Sequence, residues 1–139
     1  MLGGDKKTIN RVMIKNFLII NFTGKNNLIG LRLDNNFFIE KFQTNIKNND
    51  ILVNNINNFI KKNNVKIDKN FSVIVNTGPG SFSSIRTALA VSKGIQISKK
   101  AKLYGYKSFQ LTEFSLKNIE VLINKNLLEN KLIKPIYIS

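Results

Sequence analysis

The chain has 139 residues, enough for one domain with its own core, and a formal net charge of +14 from 22 basic and 8 acidic residues. Cysteine and histidine are both absent, which excludes a disulfide framework, a Cys/His zinc centre, a Ser-His-Asp triad and a Cys-His pair. The eight acids (Asp5, Asp34, Asp50, Asp68, Glu40, Glu113, Glu120, Glu129) form no D-x-D or E-x-x-E cluster for magnesium or acid–base work, so the chain is poorly equipped as a self-sufficient enzyme.

Residues 1 to 12 lack periodicity and carry Gly3-Gly4, and are expected to be a disordered extension, with Met13 a candidate start. Three extended runs follow, Ile14 to Phe22, Asn27 to Leu33 and Phe37 to Phe42, separated by turn-rich breaks short enough for hairpins. No apolar run approaches the length of a membrane span, and Phe17 to Phe22 is too short for a signal peptide, so a soluble cytoplasmic protein is expected. From Ile46 to Lys61 the period changes: Ile46, Leu52, Val53, Ile56, Phe59 and Ile60 share one face of a helix, and Ile51 widens it.

Phe71 to Val75 is β-branched and apolar, and Gly78-Pro79-Gly80 then throws the backbone into a helix that Ser81 is placed to cap. That helix combines a buried face (Phe82, Ile85, Ala88, Leu89, Ile95) with many small residues. Gly94 in mid-helix costs about 1 kcal/mol relative to Ala, which close approach of another backbone would offset, so the helix is expected to pack on more than one side. The glycine bend has two readings. Free amides at Gly80 to Ser83 suit a phosphate, with Gly80, Ser81 and Thr23 as candidate nucleotide contacts; alternatively the glycines only shape a tight connection. The spacing matches neither nucleotide-binding glycine signature, and Pro79 removes a donor.

Lys102 to Tyr106 predicts a further strand and Phe109 to Leu116 a helix opened by Ser108; Ile119 to Ile123 and Ile136 to Ile138 read as strand ends. The order β-β-β-α-β-α-β-α predicts an α/β domain with a ribonuclease-H-like, mixed five-stranded sheet flanked by helices. The charge admits two causes. Counting 19 Lys against 3 Arg, with 22 Asn and 20 Ile, it fits AT-rich codon usage as well as a polyanion-binding surface.

Val75 to Arg86 (VNTGPGSFSSIR), Ala88 to Gly94 (ALAVSKG) and Leu103 to Phe109 together resemble the signature of the TsaB (YeaZ) family, and Lys134 to Ile138 resembles that family's terminal segment. The resemblance implies the first domain of an ASKHA (actin-like ATPase) fold over residues 13 to 118, with 119 to 139 a tail left from a lost second domain. It implies a non-catalytic role supporting a TsaD-like enzyme, with a TsaE-like ATPase, in forming N6-threonylcarbamoyladenosine in tRNA. In that setting ATP is bound by the partner, and this chain touches tRNA indirectly. The family's heterodimer forms through first-domain helices, which here would use Leu52, Ile56 and Phe59 on one helix and Ser83, Arg86, Thr87, Ala90, Val91 and Gly94 on the other; a homodimer through the same face is the alternative assembly. Asn21-Phe22-Thr23 stands where the family reads Asp-Thr-Ser, which weakens nucleotide binding by this chain. The rival readings are a stand-alone ATP- or phosphate-binding enzyme of the same fold and a basic RNA-binding module.

Overall fold

The computed structural model describes residues 14–42, 49–131 and 133–137, apart from the side chain of Asn49. The expectations for residues 1 to 13, Ile46 and Ile138 lie outside these. Strands β1 (Phe17–Phe22), β2 (Asn27–Leu33) and β3 (Asn36–Phe42) form the antiparallel meander expected from their turn-rich breaks. Helix α1 (Asn49–Lys62) then leads to β4 (Ser72–Asn76), and helix α2 (Phe82–Lys99) to β5 (Lys102–Tyr106). β4 lies parallel to β1, and β5 parallel to β4, giving one mixed sheet in the order β3-β2-β1-β4-β5.

Strand alternation divides the core into two layers. Leu18, Ile20, Phe22, Val73, Val75 and Leu103 face α1 and α2 and pack with Leu52, Ile56, Phe59, Ala88 and Leu89. Phe17, Ile19, Ile74, Tyr104 and Tyr106 face the other way, against helix α3 (Leu116–Asn124) through Ile119, Leu122 and Ile123. Gly30 is needed where β2 crosses Phe37 and Ile19, since a Cβ there would lie 2.9 Å from each.

Two expectations near the end of the chain are corrected. The helix expected over 109 to 116 is not formed: Ser108–Gln110 make one 3₁₀ turn, residues 111 to 115 are not helical, Leu116 opens α3, and Phe109 is exposed. Ser108 is committed to the glycine bend through its amide and hydroxyl, so it is not free to open a helix. Ile119 to Ile123 is helix and not strand. Ser115 supplies the cap, accepting from the Asn118 amide at 3.2 Å, and the spacing of 119, 122 and 123 puts three apolar side chains on one face. The boundary expected between 118 and 119 therefore falls inside α3. After it the chain returns along β5, where Gly105 and Glu129 exchange backbone hydrogen bonds of 2.7 and 2.8 Å.

Candidate functional site

The parallel strands β1, β4 and β5 end together at the Gly78-Pro79-Gly80 bend. Gly78 has φ +108° and a cis bond to Pro79, and a Cβ on it would meet the Ile136 carbonyl oxygen at 2.0 Å, so glycine is required twice over. Asn76 shapes the turn by accepting the Gly78 amide at 2.7 Å, and its own amide donates to Asn21 Oδ1 at 2.7 Å. Asn21 Oδ1 also accepts the Tyr106 hydroxyl at 2.7 Å, which links all three strand ends. Burial pushes the Tyr106 phenol well above the ordinary tyrosine range, with the Asn76 side chain pulling weakly the other way. The Ser108 hydroxyl lies 2.8 Å from the Pro79 carbonyl oxygen, and Thr77 gives its amide (2.8 Å) and hydroxyl (3.1 Å) to the Tyr106 carbonyl.

Thr23, Gly80 and Ser81 are brought together here, but against protein groups. The Ser81 amide donates to the Thr23 carbonyl at 3.0 Å, and a Cβ on Gly80 would lie 3.2 Å from Thr23 Cα and 3.0 Å from Ile85 Cδ1. The Ser81 hydroxyl makes no capping bond to α2, contrary to expectation. It packs instead over Gly24, whose Cβ, if present, would sit 2.7 Å from it. The returning chain fills the remaining side: the Ile136 amide donates to Thr77 at 2.6 Å, Tyr137 bridges to Gly80, and the Tyr137 ring lies 4.6 Å from Phe82. Of the bend's amides, that of Gly78 goes to the Asn76 side chain and that of Ser81 to the loop at Thr23, while the terminal segment packs alongside as a donor to Thr77. Among the described residues no three acidic side chains gather as a metal site.

The helices divide the expected interface residues differently from the sequence reading. Leu52, Ile56 and Phe59 are 2%, 0% and 2% exposed, so these three side chains of the α1 stripe belong to this chain's own core. The apolar spacing signals burial, and the sheet beneath α1 is what buries it. Thr87 is also buried. Ser83, Arg86, Ala90 and Gly94 are exposed and Val91 is half-buried, and together they form the outward side of α2. Among the described residues nothing lies within 4 Å of where a Gly94 Cβ would be, so the close approach expected there is not made by them.

Between the helices runs an open groove of 460 Å³ lined by Val53, Phe82, Ser83, Arg86, Thr87, Ala90 and Val91. Val53 and Phe82 line it although sequence reasoning does not single them out as surface. The signal for Val53 is the width of the α1 apolar face; Phe82 has the spacing of a core residue. Phe82 in fact stands outside, with the Arg86 guanidinium 5.6 Å above its ring and Tyr137 on its flank, so Arg86 tethers its own helix start.

No family profile and no curated protein matches the sequence. Solved structures do match its fold. YeaZ from Pseudomonas aeruginosa superposes with a TM-score of 0.62 at 12% identity, covering 70% of this chain and 46% of that one. A structure described as an uncharacterized protein with similarity to peptidase YEAZ from Pseudomonas aeruginosa gives 0.60 at 12% identity, covering 70% and 45%. Among the described residues no helix is long and apolar enough to cross a membrane. The chain therefore spans about half the length of the structures it matches, and over that half it has the fold of YeaZ.

Proposed function

We propose that this chain is a TsaB-like, non-catalytic scaffold: a cytoplasmic first-domain ASKHA subunit that holds a TsaD-like enzyme, with a TsaE-like ATPase, in the pathway placing N6-threonylcarbamoyladenosine on tRNA. The observation that carries it is the outward side of α2, where Ser83, Ala90 and Gly94 leave room for a partner helix to pack at short range beside the α1 groove. The fold supports it, and so does the bend, where the Gly78 and Ser81 amides are taken by Asn76 and Thr23 of the chain itself. Asn21 adds to this, because a neutral amide with two donors on its oxygen offers no charge for a metal–phosphate pair. In this reading the partner carries out the chemistry on nucleotide and tRNA, and a second copy of the chain competes for the same groove when the partner is missing.

Reconstitution tests it. The TsaD-like and TsaE-like proteins of the same organism, given tRNA, ATP and threonylcarbamoyl precursors, should form the modified nucleoside, read by mass spectrometry, only when this chain is added. Ala90→Glu should abolish that dependence. Modification of equal extent without the chain would end the proposal, as would tight stoichiometric binding of ATP and magnesium by the chain alone.

A further inference from the structure

Seven of the described lysines gather at the end opposite the bend. Both α1 and α2 run back from the strand tops and finish there, and the loop from 63 to 71 joins them to the sheet through the Phe71 carbonyl, which accepts the Lys102 amide at 3.0 Å. Lys61 and Lys62 close α1, Lys66 and Lys69 lie in the loop, and Lys99, Lys100 and Lys102 surround the exit of α2; all seven are exposed. These are seven of the chain's 19 lysines. Their outward direction is enforced by what lies between them, since Val65 and Ile67 pack on the core and Ala101 is buried.

Acids offset this surface only in part. Lys62 is paired with Glu40, and the Asp68 carboxylate is engaged by the Asn70 amide at 2.9 Å. Asp34 and Glu120 lie at the same end of the sheet but on its α3 side, where they line a recess with Lys15 and Arg32. Favourable placement at helix C-termini accounts for Lys61, Lys62 and Lys99. It does not account for Lys66, Lys69 or Lys102, nor for Lys100, which occupies a left-handed position (φ +59°) where glycine fits better.

We infer that this lysine-bearing end docks the phosphate backbone of a folded RNA, directly and without a partner subunit. Ammonium groups are compact charges that suit sequence-independent phosphate contact. The segments 61–71 and 93–102 expose no aromatic side chain and one large apolar one, Ile97, which is too little to anchor a membrane surface. The inference rests on where the charges lie and not on the partner assigned to α2.

The test is fluorescence anisotropy of a labelled transfer RNA with the purified full chain over a salt series. A variant carrying Lys66→Glu, Lys69→Glu, Lys100→Glu and Lys102→Glu should bind at least about tenfold more weakly. Its slope of log affinity against log salt should fall by about 3, at roughly 0.7–0.9 for each phosphate that is no longer neutralised. A control of equal net charge, Lys25→Glu, Lys41→Glu, Lys107→Glu and Lys134→Glu, should lose less than about threefold, since affinity follows the phosphates engaged and not overall charge. The four-glutamine version of the first variant, with circular dichroism unchanged, guards against misfolding and should show the same order. Equal weakening by both sets, or no weakening by either, overturns the inference. So does a loss seen only on anionic phosphatidylserine vesicles and not on RNA.

Discussion

Gly78 is the residue on which the bend turns. Its φ of +108° and the Ile136 carbonyl at 2.0 Å from a would-be Cβ mean that Gly78→Ala should lose at least about 3 kcal/mol in urea unfolding, combining backbone strain with displacement of the terminal segment. Tyr106→Phe should lose only about 1 kcal/mol, because Asn21 keeps the bond from Asn76. The same tyrosine makes stability depend on alkali. Its buried phenol stays protonated above the pH at which the unfolded chain ionises, so that stability is complete below about pH 10 and declines as pH rises further. Tyr106→Phe should flatten that decline, leaving the part due to Tyr104, also raised by burial. The bend itself is legible in the sequence because glycine and proline act on their own backbone. The Asn21–Asn76–Tyr106 network is not, since its members lie 55 and 85 residues apart and amide side chains carry no signal of their partners.

At the scale of the element, α1 shows what an apolar stripe does and does not say. Its spacing identifies Leu52, Ile56 and Phe59 as covered, but the pattern is the same whether sheet or partner supplies the cover. Phe59→Ala should therefore cost about 3–5 kcal/mol in the isolated chain. Ile51→Ala, at 45% exposure, should stay within about 0.5 kcal/mol of wild type by the same melt. Equal effects would return the stripe to the surface. Helix α2 has nearly the limits its sequence implies, because a turn fixes its start and 18 residues fix its period. Helix α3 departs from expectation for a complementary reason: nine residues rich in Ile and Val look like strand, and only the Ser115 cap marks the helix. Length is what separates the legible helix from the illegible one.

For the whole molecule, strand order follows from the sequence because hairpin-length breaks precede two crossover helices, and that sequence of connections admits few sheets. The charge map does not follow, since lysines spread along the chain converge only when the two helices finish at the same end. The resulting molecule has three separate regions: a bend closed by its own chain, an open groove beside α2, and a basic end. The proposed function depends on the groove. Titration calorimetry of the intact chain with the TsaD-like protein measures it directly. A one-to-one complex is expected, weakened at least about a hundredfold, or roughly 2.7 kcal/mol, by Ala90→Trp, with Ile51→Ala unchanged. Identical affinity for Ala90→Trp and wild type would contradict the assignment of that face.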